Sequence, residues 1–190
     1  MDKPILAWMN CYGAWAPELR DPIETAGYSE YLDAVVDHLA VLKSRLSALY
    51  VSGGMRDEQG RTECETTIPE LRKRLEVKGI TDLEIVADEE SLSSITIDRI
   101  FLRTWRDRYS DHYAILFCDE ARYPTNAYVL EYFGAMFGIE LPPISEILIP
   151  LNRRDIHPNS RPEVQVKKLL EMKMLGVEEV ERRIVESRAH

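Results

Sequence analysis

Five short apolar runs alternate along the chain with longer segments of amphipathic helical spacing, and this alternation constrains the fold more than any other feature. The runs are residues 4–9, 48–52, 83–87, 113–118 and 146–150. They are apolar at nearly every position, which is typical of strands buried on both faces of a parallel sheet. Strand–helix units in series, joined by right-handed crossovers, form an open twisted sheet covered by helices. We therefore predict a three-layer Rossmann-like α/β fold with five parallel strands in the order 3-2-1-4-5.

The segments between the runs have the apolar spacing of helices that bury one face. The clearest one follows Tyr28, with apolar residues at Tyr31, Leu32, Val35, Val36, Leu39, Leu42 and Leu46. The second helix is expected to begin at Thr62, where Glu65 completes a capping-box pattern, and to end at Gly79. The third helix is expected to contain Ile97, Ile100, Phe101 and Trp105. The fourth helix is expected to begin near Pro124, because proline suits a first helical turn.

The length and composition predict a single hydrophobic core. A chain of 190 residues with 45% apolar content is long enough for one such core. We assign residues 1–151 to a Rossmann-like α/β domain and residues 152–190 to a C-terminal helical extension of the same domain. The extension has a capping-box pattern at Ser160 and Glu163, and a second helix is expected after Gly176. Its apolar faces predict packing on the sheet or on a second copy of the chain, which would give a homodimer.

The charge balance limits the classes of partner. The chain has 24 basic and 33 acidic residues, a formal net charge of −9. Such a surface repels phosphate backbones and anionic lipids, so we expect neither nucleic acid nor a membrane as a partner. Residues 1–9 lack the pattern of a signal peptide, and no apolar stretch approaches the roughly 20 residues of a membrane span. Three widely spaced cysteines are typical of a reducing compartment, so we expect a cytoplasmic protein.

Polar residues follow each predicted strand. In a sheet of this order, ligands bind beyond the carboxyl ends of the strands, near the switch point between strands one and four. The first strand leads to Asn10, and the second leads to Ser52, Gly53 and Gly54. The residues that follow strands three to five are Asp88, Glu89, Glu90, Ser93, Thr96, Asp98, Asp119, Glu120, Arg122, Asn152, Arg153, Arg154, Asp155 and His157. Residues 10–27 form a long connection of the kind that often acts as a lid.

These positions predict a site for a small anionic or nucleotide-like molecule. Glycine lets the backbone turn tightly, so the amides of Gly53 and Gly54 are expected to approach an anion. Arg122 adds a fork of donors that suits phosphate or carboxylate, and helix N-termini attract negative charge. The predicted ligand-binding residues are Asn10, Ser52, Gly53, Gly54, Glu63, Thr96, Asp98 and Arg122. Glu63 and Asp98 are the candidate catalytic residues, no metal ligands are assigned, and the cofactor is unknown.

Several familiar motifs are absent from the sequence. No GxGxxG follows the first strand, and neither GxSxG nor HExxH occurs. The segment from Gly54 to Thr62 is similar to a phosphate loop. However, five residues separate its two glycines, and Arg61 stands where a Walker A motif has lysine. The sequence therefore favours neither a classical dinucleotide fold nor a P-loop.

Two segments carry a family resemblance. Ser52, Gly53 and Gly54 end a strand, and Thr62 and Glu63 open the next helix, which gives an SGG…(S/T)E arrangement. Residues 93–99 read SSITIDR. Over roughly residues 5–149, these segments together resemble the ElyC/SanA/YdcF family of unknown function.

The second segment is similar to the S-x-N-T-x-E-N stretch of that family. Ser93 and Thr96 match it, and Asp98 replaces its glutamate. After strand four, Pro124 matches the family pattern and Arg122 stands in the place of its histidine. The resemblance implies a Rossmann-like sheet with a polar pocket at the strand ends, and it does not imply a particular reaction.

Three functions remain open from the sequence. The favoured one is a small-molecule-binding domain whose ligand has an anionic group, with group transfer or hydrolysis as a conceivable reaction. The second is a non-catalytic interaction protein that uses its C-terminal helices. The third is a metal-dependent hydrolase built on Glu63, Asp88, Asp98 and Asp119, because carboxylate oxygens suit a hard cation.

Overall fold

A parallel five-stranded sheet forms the centre of the molecule. The computed structural model describes residues 3–18, 21–151 and 161–188. The strands are β1 (Ile5–Asn10), β2 (Leu46–Ser52), β3 (Glu84–Asp88), β4 (Tyr113–Asp119) and β5 (Leu148–Leu151). Their order is β3-β2-β1-β4-β5, and all pairs are parallel. The predicted fold class and strand order are confirmed.

Seven helices accompany the sheet in the described residues. They are α1 (Pro22–Leu42), α2 (Glu63–Val77), α3 (Ser94–Arg108), α4 (Tyr123–Phe137), α5 (Ile144–Ile147), α6 (Pro162–Leu175) and α7 (Val177–Arg188). A 3-10 turn, Glu120–Arg122, joins β4 to α4. No helix in this part of the chain has both the length and the apolar character needed to cross a membrane.

Each face of the sheet is covered by one pair of helices. Successive residues of β1 point to opposite faces, as in any strand. Leu6 and Trp8 pack against buried residues of α3 and α4, whereas Ala7 and Met9 pack against those of α1 and α2. All six residues of β1 are buried, and this explains why the strand is apolar at almost every position.

Side-chain caps set the first residues of the helices that border the carboxyl edge. The predicted capping box is confirmed, since Thr62 and Glu65 each accept a hydrogen bond from the other's backbone amide. Helix α1 begins earlier than its apolar stripe predicted, because Asp21 caps it and Pro22 occupies its first turn. The long connection predicted over residues 10–27, the candidate lid, is therefore shorter than expected. The connection from β1 to α1 is residues 11–21.

The fifth strand begins two residues later than predicted. Residues 144–147 form a single helical turn after Pro143, so β5 starts at Leu148 and not at residue 146. Ile147 is buried from within this turn. The apolar run that predicted a strand therefore also reflects a short helix that contributes to the same core.

The C-terminal helices share the core of the α/β unit. Helix α6 contacts α4, and α7 contacts α3. Met172, Val177 and Val180 are each no more than 3% exposed, and they join the apolar cluster on the α3–α4 side of the sheet. The extension is therefore packed on the outer helices of the domain.

The start of α6 differs from its predicted cap. The helix begins at Pro162, and the preceding Arg161 makes no side-chain capping hydrogen bond. The predicted cap, Ser160, lies outside the described residues. The rim candidates Asn152, Arg153, Arg154, Asp155 and His157 lie outside them as well.

Candidate functional site

A cleft opens where the carboxyl ends of β1 and β4 lie side by side. It has a volume of about 150 Å³, and it lies where open α/β sheets bind ligands. A second cleft of about 190 Å³ adjoins it. Ser93, Ser94, Arg122 and Arg188 line both of them. We refer to the two together as the switch-point cleft.

Gly53 and Gly54 do not offer their amides to this cleft. The N–H of Gly53 donates to the carbonyl of Asp88 at 3.0 Å, and that of Gly54 donates to the carbonyl of Ser91 at 3.0 Å. A Cβ at Gly53 would lie 2.6 Å from Cβ of Glu63. The prediction that these amides bind an anion is therefore wrong, because both are used internally and glycine is needed here for close packing.

Ser52 belongs to a buried hydrogen-bond network at the end of β2. Its hydroxyl donates to Asp88 at 2.8 Å and accepts from the indole N–H of Trp8. The same carboxylate oxygen of Asp88 accepts from the hydroxyl of Ser91 at 2.5 Å. Because these contacts join β1, β2 and the end of β3, Ser52 and Asp88 hold the wall of the cleft in place.

Glu63 lines the switch-point cleft at the first residue of α2. It is 9% exposed. The capping box uses Thr62 and Glu65, so the helix does not need Glu63 for its cap. The carboxylate of Glu63 also attracts the guanidinium of Arg188. The structure thus places one acidic group opposite a basic one in the cleft.

The N-terminus of α3 forms the floor between the two clefts. Ser93 is the N-cap, and its hydroxyl accepts from the amide of Thr96 at 3.0 Å. The hydroxyls of Ser93 and Thr96 are 2.9 Å apart and hydrogen-bonded. Thr96 therefore completes the cap and does not line the cleft. Ser94 follows the cap, and amides in this first turn have no acceptor within the helix.

Asp98 lies below the cleft, between α3 and α4. It is fully buried, and its Oδ1 accepts from the side-chain amide of Asn126 at 3.3 Å. Its Oδ2 has no hydrogen-bond partner among the described residues. Burial raises the pKa of Asp98 well above its usual value, against the opposing attraction of Lys168 and Arg122. Asp98 therefore lies close enough to interact electrostatically with Lys168 and Arg122, and it does not form part of the lining of the cleft.

Arg122 projects into both parts of the cleft from the end of the 3-10 turn. Its guanidinium lies 4.2 Å from the ring centre of Tyr12, a cation–π contact that fixes its position. The hydroxyl of Tyr12 in turn accepts from the backbone amide of Asp119 at 2.8 Å. The buried Nε of Arg122 has no acceptor among the described residues.

Two further cations reach the cleft from the C-terminal helices. Lys168 of α6 donates to the hydroxyl of Ser94 at 2.8 Å. Arg188, the last residue of α7, donates to the carbonyl of Leu92. Within the described parts of the chain, none of Lys168, Arg188 and Arg122 forms an ion pair with an acidic side chain.

The three cations affect one another electrostatically. Burial lowers the pKa of Lys168 to about 7, and the charges of Arg122 and Arg188 act in the same direction. Attraction to Asp98 only partly opposes this. Burial likewise lowers the pKa of Arg188, with a further contribution from Arg122. The cleft therefore concentrates positive potential in a protein whose net charge is −9.

Asn10 lies at the end of β1 and is fully buried. Its backbone carbonyl accepts from Tyr31 at 3.2 Å. Both polar atoms of its side chain lack a hydrogen-bond partner among the described residues, as does Oδ2 of Asp119 at the end of β4. The structure therefore concentrates buried, unsatisfied polar atoms at the switch point, although Asn10 does not line the cleft.

The four carboxylates of the metal-site hypothesis have different environments. Glu63 lines the cleft, Asp88 belongs to the serine network, and Asp98 lies on the buried face of α3, towards α4. Asp119 accepts from the amide of Ala121 at 3.0 Å. Across residues 3–18, 21–151 and 161–188, no three His, Cys, Asp or Glu side chains are grouped as metal ligands. The metal-dependent hydrolase gains no support from these residues.

Of the predicted set, Glu63 and Arg122 line the cleft. Ser52, Thr96 and Asp98 support its walls or floor, and Lys168 and Arg188 were missed. The sequence predicted the two helices that contain Lys168 and Arg188. It gave no signal that distinguished these two basic residues from others on the same helices.

We compared the chain with protein-family models, with curated proteins and with solved structures, and none of them matches it.

Proposed function

We propose that the switch-point cleft binds the anionic group of a small molecule. The observation that carries this proposal is the convergence of Arg122, Lys168 and Arg188 at the N-terminus of α3 without an acidic ion-pair partner among the described residues. Like charges in a partly desolvated cleft repel each other, and an anion between them offsets that cost.

The chemistry of the donors supports phosphate or carboxylate as the bound group. Arg122 and Arg188 offer planar forks of N–H donors, which match both anions in bidentate geometry. Lys168 adds a compact charge, and Ser94 adds a hydroxyl and a first-turn amide. The amides at a helix N-terminus and the partial positive charge there favour anions further.

The size of the cleft favours a compact ligand. Its two parts, about 150 and 190 Å³, together reach only the lower end of the roughly 300–1,000 Å³ of typical small-molecule sites. A phosphorylated or carboxylated metabolite of a few carbon atoms fits this size better than a dinucleotide does. Glu63, on the opposite wall, is suited to orient a ligand hydroxyl or to move a proton.

We also propose that the chain is related to the ElyC/SanA/YdcF family and that it is cytoplasmic. The ElyC/SanA/YdcF resemblance implies a polar pocket at the strand ends, and the switch-point cleft, at the carboxyl ends of β1 and β4, is our candidate for it. The three widely spaced cysteines support a cytoplasmic location. The acidic net charge supports the absence of a nucleic-acid or membrane partner.

A thermal-shift panel tests the proposed function. The panel contains inorganic phosphate, triose and pentose phosphates, nucleoside monophosphates, dicarboxylates and divalent metal chlorides at matched ionic strength. A ligand that binds only the folded chain raises the melting temperature by mass action. We expect stabilisation by organic phosphates or carboxylates. Stabilisation by none of the anions at millimolar concentration would contradict the proposal.

A second candidate is an interaction function for α6. Val166, Leu170 and Met174 follow one another at four-residue intervals and are 57%, 54% and 76% exposed. An apolar row of this kind on a helix suits a partner surface, and the predicted homodimer would use it. Light scattering of the wild type and of Leu170→Glu tests this candidate. A concentration-dependent dimer that the substitution dissociates would support it, and a wild-type monomer would exclude the homodimer.

A further inference from the structure

Lys168 has the surroundings of a reactive amine. It extends from α6 into the part of the cleft that Arg122 and Arg188 also line, and its Nζ is 2.8 Å from the hydroxyl of Ser94. That hydroxyl holds the amine at the N-terminus of α3. A lysine that only stabilised the fold would be expected to form an ion pair with a carboxylate. Lys168 is partly buried and forms no ion pair in the described parts of the chain.

We propose that Lys168 is a nucleophile that forms an imine with a carbonyl compound whose phosphate or carboxylate is held by Arg122 and Arg188. This inference rests on the proposed function, and it specifies the ligand class as a phosphorylated or carboxylated aldehyde or ketone. It also assigns different roles to the three cations, since two bind the anion and the third reacts.

The protonation state of the amine suits this role. Only the neutral amine has a lone pair for attack, and an ordinary lysine is almost fully protonated at neutral pH. Burial, followed by Arg122 and Arg188, lowers the pKa of Lys168 to about 7, while Asp98 below it acts in the opposite direction. Neighbouring cations and desolvation are recognised means of activating a lysine nucleophile.

The reaction needs no oxidant and no further reactant. The lone pair of Nζ forms a bond to the carbonyl carbon, and the electrons of the carbonyl π bond move to its oxygen. Two protons from the amine are transferred to that oxygen, directly or through a solvent water molecule. The oxygen then leaves as water, and the second carbon–nitrogen bond forms. One amine and one carbonyl group thus give one imine and one water molecule.

Trapping with borohydride tests the inference. The probe is dihydroxyacetone phosphate, and sodium borohydride reduces any imine to a stable secondary amine that peptide mass mapping locates. Glycerol 3-phosphate is the matched ligand, because it has the same phosphate and carbon chain but no carbonyl group. The protein variants are Lys168→Arg, which keeps the positive charge, and Lys167→Arg on the same helix, which changes an exposed neighbour.

We expect one predominant label, on Lys168. Excess glycerol 3-phosphate should suppress it at least tenfold, Lys168→Arg should abolish it, and Lys167→Arg should leave it unchanged. Labelling should rise with pH around neutrality, since it follows the neutral amine. If glycerol 3-phosphate binds and Lys168 is labelled no more than Lys167, the imine is excluded and the anion site stands. If neither phosphate compound binds, the proposed function and the imine both fail.

Discussion

Lys168 donates a hydrogen bond to the hydroxyl of Ser94, the first residue of α3, at a distance of 2.8 Å. This contact joins the C-terminal extension to the site at the end of the parallel sheet. Because α7 also delivers Arg188 to the same cleft, the extension supplies two of the three cations that line it within residues 3–18, 21–151 and 161–188. The extension is therefore part of both the core and the candidate site.

The pH dependence of stability should report the environment of Lys168. Its pKa is about 7 in the folded protein, against an ordinary value of 10.5. Between these values the unfolded chain binds more protons than the folded one, so this residue makes stability rise with pH from about 7 to 10.5. Below that window the cost of the buried charge is fully present. Urea unfolding between about pH 7 and 8, below the range in which the buried thiols would ionise in the unfolded chain, should show this rise in the wild type.

Two substitutions on α6 test the assignment. Lys168→Met should remove the rise, because the titrating group is gone, whereas Lys167→Met should behave as the wild type does. Parallel stability curves for Lys168→Met and the wild type would show that Lys168 has an ordinary pKa.

The C-terminal helices should contribute to stability through their buried side chains. Met172 is 1% exposed, whereas Met174 on the same helix is 76% exposed. Met172→Ala should lower the free energy of unfolding by about 2–5 kcal/mol, as is usual for large-to-small changes in a core. Met174→Ala should change it by less than about 0.5 kcal/mol. Equal effects of the two substitutions in denaturant unfolding would mean that α6 is not docked as described.

Gly53→Ala should destabilise the fold through crowding. The new Cβ would lie 2.6 Å from Cβ of Glu63 and 2.7 Å from Cβ of Cys11, so the β2 end or α2 must move. Overpacking of this kind costs about 1–3 kcal/mol. Chemical denaturation gives the value, and a variant as stable as the wild type would refute the close packing of α2 on β2.

Neighbouring substitutions at the start of α2 should separate stability from binding. Thr62→Ala removes the cap and should cost about 1 kcal/mol of stability. Glu63→Gln leaves the capping box intact and removes a negative charge from the cleft. It should strengthen the binding of inorganic phosphate by up to about fivefold, or ~1 kcal/mol. Weaker phosphate binding by Glu63→Gln would show that Glu63 helps to hold the anion or its donors.

The sequence predicted the fold well because strand burial and helix spacing are local patterns. The apolar runs around Leu6 and Leu116 identified central strands, and Thr62 with Glu65 identified the start of α2. Boundaries failed where a second local signal competed with the apolar pattern. Pro22 started α1 early, and the turn after Pro143 delayed β5.

The site was predicted only in part, for physical reasons. Arg122 follows directly from strand order, since it comes soon after β4, which borders the switch point. Glu63 was identified by its position at the start of the helix that follows β2. The internal use of the Gly53 amide depends on the carbonyl of Asp88, which lies far along the chain. Lys168 and Arg188 reach the cleft only through the docking of α6 and α7 on the outer helices, and no local spacing encodes that docking.

The claim that the switch-point cleft binds an anion is tested most directly by isothermal titration calorimetry with glycerol 3-phosphate. The proteins to compare are the wild type, Arg122→Ala and Arg106→Ala. Arg106 is an arginine on α3 that pairs with Asp107 and lines neither part of the cleft. Arg122→Ala should weaken binding by about 10- to 150-fold, which corresponds to the roughly 1.5–3 kcal/mol of a hydrogen bond to a charged group. Arg106→Ala should bind as the wild type does. Equal affinity of all three proteins, or no binding by the wild type, would contradict an anion site at the switch point.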